Sequence, residues 1–227
     1  MAFGIEKHKD KFQIMGTGDG WNLAPLKSDA IIYCLNDYIK FERYGIKPDV
    51  LFIMDVLDEK PLIVSGIDNL GDVIQRINQM GVPLIAPYKY AEIPLSQAFP
   101  IKECIKEFGL PYLNNTISYM IAHALLQGAK EIDIYGVNQA SSGEYFYEKA
   151  SVEYWLGIAN GRGVKITING AKSELLSNKA RMGGNILYGY NMTAEGVFRI
   201  AEKYGEQIVK KLLVPPNPIS KTIRQVN

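Results

Sequence analysis

Short apolar runs alternate along this chain with segments of helical periodicity, and this alternation constrains the fold more than any other feature of the sequence. Such a pattern is typical of a mostly parallel sheet that carries helices on both faces. The runs that we interpret as strands are Phe12 to Met15, Ala30 to Leu35, Val50 to Asp55, Pro83 to Ala86, Glu131 to Tyr135 and Val164 to Ile168. The sequence therefore predicts an α/β fold with a doubly wound, six-stranded sheet.

Glycine follows several of the helical segments, at positions where a left-handed residue ends a helix. Gly45, Gly81 and Gly128 each stand directly after such a segment. The segments that we interpret as helices are Asp37 to Tyr44, Ile67 to Met80, Asn115 to Gln127, Tyr147 to Asn160 and Ser173 to Leu176. This punctuation supports the division of the chain into alternating strands and helices.

The last part of the chain has a different character. Thr193 to Leu213 has the spacing of a long amphipathic helix, and the three prolines of the tail that follows favour an extended arm. We expect residues 1–192 to form the main domain and residues 193–227 to form a C-terminal helix and tail. That segment is suited to docking on a partner or on a second copy of the chain.

Composition excludes several classes of function. Twenty-five basic residues against 24 acidic ones give a formal charge of +1, so no global field recruits nucleic acid or an anionic membrane. No run reaches the ~18 apolar residues that a membrane span needs, and we expect a cytoplasmic protein. Two cysteines outside any C-x-x-C spacing and two histidines, His8 and His123, indicate neither a zinc site nor a histidine-based nucleophile set.

Three glycines interrupt the chain directly after the first predicted strand, in the stretch FQIMGTGDGW. Glycines let a backbone approach a ligand closely, and free N–H groups of the loop Gly16 to Gly20 can point at phosphate oxygens. The spacing is G-x-G-x-G, not the G-x-G-x-x-G of dinucleotide-binding loops, and no Gly-Lys-Ser/Thr of a P-loop follows. A phosphate cradle and a flexible turn after an edge strand are therefore both open interpretations.

Polar side chains follow other predicted strands, and ligands of a doubly wound sheet bind outside the carboxyl ends of its strands. Asn36 follows the second run, Asp55 ends the third with Asp58 just beyond, and Asn138 and Gln139 follow the fifth. Asp55 suits Mg²⁺ held against phosphates or a contact to a ribose hydroxyl. The alternative for Asp55 and for Asn36 is the N-cap of a helix.

The segment after the fifth predicted strand offers further polar groups. Tyr145 and Tyr147 carry phenols that can reach phosphate or sugar oxygens, and Glu144 is a candidate general base. The alternative is a plain surface loop with aromatic anchors.

Several of these segments together resemble a known superfamily. The stretch Ile14 to Gly20, then Asn36, then Tyr44 to Asp49 leading to Asp55, resembles the opening of the 6-hydroxymethylpterin diphosphokinase-like proteins. That superfamily also includes motility-associated glycosyltransferases and is similar to the Rossmann-like bacterial sialyltransferases. The block from Thr116 to Asn138, a helix that begins with small hydroxyl residues and leads into a strand, fits the second segment that these families share.

The resemblance covers roughly residues 12–168, and it implies that the predicted domain of residues 1–192 is a Rossmann-like nucleotide-binding domain. Its nucleotide site is implied to comprise Gly16, Thr17, Gly18, Asp19, Gly20, Asn36, Asp55, Ser118 and Asn138. In the sialyltransferase branch, tyrosines after the fifth strand hold the donor phosphate, and Tyr145 and Tyr147 stand near that place.

Two departures from the families bear on mechanism. This chain has Asp19-Gly20 where Pro-Ser is usual, and it has no histidine after His123, although those sialyltransferases use a histidine base beyond the tyrosines. A carboxylate next to a phosphate repels it. If the site is active, we therefore expect a cation beside Asp19.

Two hypotheses of function follow. The first is a nucleotide-dependent transferase, either for glycosyl transfer from a nucleotide sugar or for pyrophosphoryl transfer from ATP, with Mg²⁺ held by Asp55 and Asp58. Tyr145 and Tyr147 would steady the leaving phosphate, with Glu144 as the base. The second is a non-catalytic binding or assembly protein that forms a homo-oligomer or docks on a partner through residues 193–227.

Overall fold

The structure is a computed structural model. It describes residues 8–40, 45–57, 69–139, 145–170 and 172–176, together with 196, 199 and 201–203. The chain forms two compact units, residues 1–175 and residues 176–227. The first unit contains the sheet. The predicted boundary at residue 192 stays a prediction.

Seven strands form one sheet in which every pair of neighbours is parallel. The strands are β1 (Lys11–Met15), β2 (Ile31–Leu35), β3 (Val50–Phe52), β4 (Leu84–Ala86), β5 (Ser96–Ala98), β6 (Glu131–Tyr135) and β7 (Lys165–Asn169). Their order across the sheet is β5-β4-β3-β2-β1-β6-β7. The predicted doubly wound α/β fold is confirmed, with one strand more than expected.

In the part of the chain that the structure describes, four α-helices and two short 3₁₀ helices lie between the strands. The α-helices are α1 (Leu70–Met80), α2 (Ile101–Phe108), α3 (Thr116–Leu126) and α4 (Tyr145–Gly161), and the 3₁₀ helices are Trp21–Leu23 and Asn36–Lys40. Among the described residues, no helix is both long and apolar enough to cross a membrane.

The core has two parts, one on each face of the sheet. Phe12 and Ile14 of β1 belong to the cluster that includes Trp155 of α4 and Met120 of α3. Met15, whose side chain points the opposite way, belongs to the cluster that includes Val73 and Ile77 of α1. Alternate residues of one strand thus enter opposite cores, as in parallel sheets covered by helices on both sides.

Asparagine side chains begin two of the helices. Asn69 accepts a hydrogen bond from the N–H of Asp72 at 2.8 Å at the start of α1. Asn115 accepts one from the N–H of Ser118 at 2.9 Å at the start of α3. Each bond satisfies an N–H group that has no partner within its own helix, so the predicted helix starts near these positions have a local chemical cause.

Some sequence predictions need correction. The helix predicted from Asp37 to Tyr44 is a 3₁₀ helix over Asn36–Lys40, and residues 41–44 lie outside the described part. The helix predicted from Ser173 to Leu176 is wrong, because Ser173 and Glu174 have no regular secondary structure and Leu175 and Leu176 form a turn. The hydroxyl of Ser173 donates to the carbonyl of Val137 at 2.8 Å. The segment is therefore anchored to the chain after β6 and does not satisfy its own backbone as a helix would.

The predicted C-terminal helix lies mostly outside the described residues. Gly196, Arg199 and residues 201–203 are described, and they are helical. The homo-oligomer through residues 193–227 stays a prediction.

Candidate functional site

The direction of chain winding reverses at β1. Strands β2 to β5 are added on one side of β1, and β6 and β7 are added on the other. In doubly wound sheets, the crevice that binds ligands lies outside the carboxyl ends of the strands at such a topological switch point. Residues Gly16 to Gly20 leave β1 there, and residues Gly136 to Gln139 leave β6 beside them.

These two loops pack backbone against backbone. The N–H of Gly16 donates to the carbonyl of Tyr135 at 2.7 Å, and the N–H of Gly18 donates to that of Gly136 at 2.8 Å. An ideal Cβ on Gly136 would lie 2.6 Å from the carbonyl oxygen of Gly16, and the φ of Gly136 is +65°. The glycines thus allow close approach of two loops, and the N–H groups of Gly16 and Gly18 bond to β6 and its loop instead of pointing at a ligand.

Asn138 fastens the end of the glycine loop. With its amide oriented to suit its neighbours, it donates to the carbonyl of Asp19 at 2.9 Å and accepts from the N–H of Asp19 at 3.0 Å. Gly20, at φ +91°, packs against Gly170 after β7. The loop is therefore held by the ends of both β6 and β7, which contradicts the interpretation as a flexible turn after an edge strand.

The side chain of Asp19 has a cationic side chain beside it, that of Lys172. The ammonium of Lys172 contacts the carboxylate of Asp19, and both side chains are more than half exposed. The sequence prediction did not name Lys172, because 153 residues separate it from Asp19 along the chain. Neither residue lines the cavity described next.

A cavity of about 690 Å³ lies in the crevice. The loops after β1, β2, β3 and β6, the start of α3 and the first turn of α4 surround it. The polar and glycine residues that line it are Gly16, Thr17, Gly18, Asn36, Asp37, Asp55, Asn114, Asn115, Thr116, Tyr119, Gly136, Asn138, Gln139 and Glu148.

Asn36 and Asp55 form one wall of the cavity, at the ends of β2 and β3. The amide nitrogen of Asn36 donates to Oδ2 of Asp55 at 3.1 Å. This bond fixes the Asn36 carboxamide, so its oxygen points away from Asp55 as an acceptor. Asp37, next in the chain, also lines the cavity. The pair presents acceptors that suit hydroxyl or amine donors of a ligand.

The amino end of α3 forms another wall. Asn115 is its N-cap, and Thr116 and Ile117 of the first turn line the cavity. The first N–H groups of a helix and its dipole favour a negative charge. Thr17 lines the same cavity from the glycine loop, and its N–H and hydroxyl make no hydrogen bond within the described part of the chain.

Gln139 and Glu148 lie at the β6 end of the cavity. The amide nitrogen of Gln139 is 3.4 Å from Oε2 of Glu148. Asn115 also holds this part of α4, because its amide nitrogen donates to the carbonyl of Glu148 at 3.0 Å. Glu148 therefore stays beside the start of α3.

The cavity contains some of the predicted site residues and not others. Gly16, Thr17, Gly18, Asn36, Asp55 and Asn138 line it. Ser118 is buried in α3, where its hydroxyl donates to the carbonyl of Asn115 at 2.7 Å. Tyr147 is 72% exposed. Asp58, Glu144 and the side chain of Tyr145 lie outside the described residues.

Sequence reasoning missed Glu148, Asn114 and Thr116 as lining residues. Thr116 carried a signal, because it opens a helix that follows a capping asparagine and leads into β6. Glu148 had no such signal in the sequence, since an acidic residue in the first turn of a helix is usually explained by the helix dipole alone.

His123 lies in the core behind the cavity, not within it. Its Nδ1 shares a hydrogen bond of 2.8 Å with the Tyr33 hydroxyl, and the rings of Phe52 and Phe99 pack around it. Burial lowers the pKa of His123 to about 4. The imidazole is therefore neutral at physiological pH, and its position agrees with a structural role.

No protein-family model matches the sequence, and no curated protein matches it. Solved structures of similar fold include the Campylobacter jejuni sialyltransferase CstII with cytidine-5′-monophosphate, which is 17% identical, with a TM-score of 0.45 over 74% of this chain and 82% of that one. The CstII complex with a trisaccharide acceptor and CMP is also 17% identical, with a TM-score of 0.46 over 73% and 83%. The apo α-2,3-sialyltransferase from the same organism is 14% identical, with a TM-score of 0.45 over 74% and 77%. Because these TM-scores and sequence identities are low, the similarity does not establish a function for this chain. The function is therefore argued from the residues of the cavity.

Proposed function

We propose that this protein binds a nucleotide sugar in the crevice at the ends of β1, β2, β3 and β6 and transfers the sugar to an acceptor. The observation that carries the proposal is the order of chemical groups along one cavity. Asn36 and Asp55 lie at the ends of β2 and β3, Thr17 and the start of α3 come next, and Gln139 and Glu148 lie at the β6 end.

The nucleoside is assigned to the wall of Asn36 and Asp55. In doubly wound sheets that bind nucleotides, an acidic residue beyond the first strand binds ribose hydroxyls. The bond between Asn36 and Asp55 orients both side chains before a ligand arrives, which reduces the entropy lost on binding.

The phosphate is assigned to the start of α3 and to Thr17. Helix amino ends favour anions, and the hydroxyl and N–H of Thr17, which lines the same cavity, add donors. This differs from the arrangement predicted from sequence, in which the N–H groups of Gly16 and Gly18 bind the phosphate. Those glycines support the site by bringing the loops after β1 and β6 into contact.

The charge of the lining favours glycosyl transfer over pyrophosphoryl transfer from ATP. Asp37, Asp55 and Glu148 carry carboxylates, which repel phosphate groups but accept hydrogen bonds from hydroxyls. A nucleotide sugar has fewer phosphate charges than ATP and more hydroxyls. The resemblance to diphosphokinase-like proteins stays a prediction.

Asp55 is a suitable ligand for Mg²⁺, but the cavity offers few other carboxylates that could join it. The described residues contain no group of three or more His, Cys, Asp and Glu side chains that could hold a metal ion. Mg²⁺ is commonly held by one or two carboxylates together with substrate phosphates, so Asp55 and Asp37 would suffice for an ion that enters with its nucleotide. The ion would neutralise phosphate charge.

In glycosyl transfer, the acceptor's hydroxyl oxygen bonds to the anomeric carbon of the sugar, and the bond from that carbon to the phosphate oxygen breaks. The hydroxyl proton passes to a base. Glu148 lies at the appropriate end of the cavity for this step. The roles predicted for Glu144, Tyr145, Tyr147, Ser118 and Asp58 stay predictions.

The decisive experiment is isothermal calorimetry with CMP, UDP, GDP, ADP and ATP, each with and without Mg²⁺. We expect at least one nucleotide to bind and Asp55→Asn to weaken it about tenfold or more, because a ligand hydroxyl loses a charged acceptor. Asp10→Asn is the matched control, since Asp10 is exposed in the turn before β1. If none of the five nucleotides binds the folded protein, the proposed function is wrong.

A further inference from the structure

The cavity carries an apolar patch in addition to its polar groups. The residues of this apolar patch are Leu35, Met54, Leu113, Ile117 and Tyr119, and all of them line the cavity. They pack within or against one core cluster, and all except Ile117 are half-buried. The apolar patch is therefore a part of the core whose surface stays open to the cavity, where a ligand can cover it.

The apolar patch adjoins the pair of Asn36 and Asp55. Leu35 directly precedes Asn36 at the end of β2, and Met54 directly precedes Asp55 after β3. The residues that end these two strands thus supply both a polar pair and part of an apolar surface. The apolar patch reaches the nucleoside end of the cavity, not only its β6 end.

Tyr119 is the aromatic residue of the apolar patch. Its ring meets that of Phe99 at 89°, with 4.8 Å between the ring centroids. Phe99 is buried, and its N–H donates to the carbonyl of Ala86 at the end of β4 at 2.7 Å. Tyr119 is therefore held toward β4, on the same side of β1 as Asn36 and Asp55.

We propose that the base of the nucleotide packs on the apolar patch and that the ring of Tyr119 contacts it. This inference rests on the proposed function. Every nucleobase has an apolar face that packs well on an aromatic side chain. A ribose whose hydroxyls bind Asp55 places its base within reach of Leu35 and Met54.

The other parts of a nucleotide sugar match the apolar patch less well. A phosphate is charged, and a sugar carries hydroxyls on most of its ring carbons. On an apolar surface, both groups lose hydrogen bonds to water without replacing them. A base instead buries its faces and keeps the polar edge of its ring for hydrogen bonds, so it is the part that gains most from this surface.

NMR titration with CMP, UMP, GMP and AMP, each compared with ribose 5-phosphate, tests the inference. Ribose 5-phosphate keeps the sugar and the phosphate and lacks only the base. We expect at least one of the four nucleotides to bind the wild-type protein about tenfold more tightly than ribose 5-phosphate.

Replacing Tyr119 separates contact with the base from a purely structural role. Tyr119→Ala should weaken that nucleotide about tenfold, while ribose 5-phosphate binds within about twofold of wild type. Tyr119→Leu fills the space beside Phe99 without an aromatic ring, and it should weaken the nucleotide about fivefold even if Tyr119→Ala fails to fold. Tyr119→Phe keeps the ring and should restore the wild-type affinity to within about twofold.

The matched control is Tyr88→Ala. Tyr88 is 61% exposed in the segment after β4, and it does not line the cavity. We expect this variant to bind both the nucleotide and ribose 5-phosphate as the wild-type protein does.

The two proposals fail in different ways. If no nucleotide binds the folded protein, the proposed function fails, and the role of the apolar patch fails with it. Three results would overturn only the role of the apolar patch while nucleotides still bind. In the first, ribose 5-phosphate binds as tightly as every nucleotide. In the second, Tyr119→Leu binds the nucleotide as Tyr88→Ala does. In the third, Tyr119→Leu weakens ribose 5-phosphate as much as it weakens the nucleotide.

Discussion

Gly16 and Gly136 lie so close together that an ideal Cβ on Gly136 would stand 2.6 Å from the carbonyl oxygen of Gly16. The hydrogen bond from the N–H of Gly18 to the carbonyl of Gly136 joins the same two loops. The glycines after β1 and the glycine after β6 are therefore one structural unit, although about 120 residues separate them in the sequence.

The first prediction concerns Gly136→Ala. An alanine there must hold a left-handed conformation and also displace the backbone of the first loop. We expect the free energy of unfolding, measured by urea denaturation, to fall by about 3 kcal/mol or more. Nucleotide affinity should fall as well, because Thr17 would shift.

Gly157→Ala is the control for this substitution. Gly157 lies on the exposed side of α4, and a Cβ there meets no atom within 4 Å. Alanine in a helix interior should raise the free energy of unfolding by about 0.5 to 1 kcal/mol. Equal effects of the two substitutions would contradict the contact between the loops.

Most of the sheet was predictable because β2, β3 and β4 are continuous apolar runs, and β1, β6 and β7 are apolar runs interrupted by single polar residues. β5 was missed because it is a three-residue edge strand in which only Ser96 is buried. α2 was missed although Ile101, Cys104, Ile105 and Phe108 follow helical spacing, and this signal was available in the sequence. The exposure of Ile101 and Ile105 depends on the tertiary structure, and no pattern in the sequence indicates it.

A second prediction concerns the amide of Asn138. Asn138→Asp keeps the acceptor for the N–H of Asp19 but places an oxygen against the carbonyl of Asp19, which now receives a hydrogen bond at 2.9 Å. Urea denaturation should show a loss of about 1 to 3 kcal/mol in the free energy of unfolding. Asn22→Asp adds the same charge at an exposed position close to this loop, and it should change the stability by less than about 0.5 kcal/mol. A similar loss in both variants would mean that charge, and not the amide, is responsible.

The candidate site could be predicted only in part from the sequence, because some of its residues come together only in the tertiary structure. Asn36, Asp55 and Asn138 end or follow recognisable strands, so their convergence follows from topology. Gln139 was placed at the same edge, but its left-handed backbone and its buried oxygen, which has no partner among the described residues, depend on how the chain after β6 packs. Lys172 and Glu148 reach their positions only through the tertiary fold.

A third prediction concerns the pH dependence of stability. His123 binds a proton near pH 6.5 in the unfolded chain but only near pH 4 in the folded protein, because burial lowers its pKa. Between these values the unfolded state binds more protons, so stability is complete above about pH 6.5 and falls as the pH is lowered toward 4. The loss should approach about 3 kcal/mol, measured as the free energy of unfolding at several pH values.

The variant His123→Gln keeps a group that can hydrogen-bond to the Tyr33 hydroxyl, and it cannot titrate. It should be less stable than wild type at pH 7, but it should lose less stability between pH 6.5 and pH 4. His8→Gln is the control, because it removes the other histidine of the chain, whose side chain is exposed beside Asp29. An unchanged slope in His123→Gln would show that other groups cause the acid sensitivity.

The last prediction concerns the ion pair of Asp19 and Lys172. Both side chains are largely exposed, so removing the pair should change the free energy of unfolding by less than about 1 kcal/mol. Neither side chain lines the cavity, and the backbone of Asp19, not its carboxylate, is what Asn138 holds. We therefore expect the double variant Asp19→Asn, Lys172→Met to bind nucleotide within about twofold of wild type, with the same Mg²⁺ dependence. If the double variant instead bound nucleotide only at much higher Mg²⁺ concentration, the Lys172 ammonium would be part of the phosphate site, and the assignment of the phosphate to α3 and Thr17 would need revision.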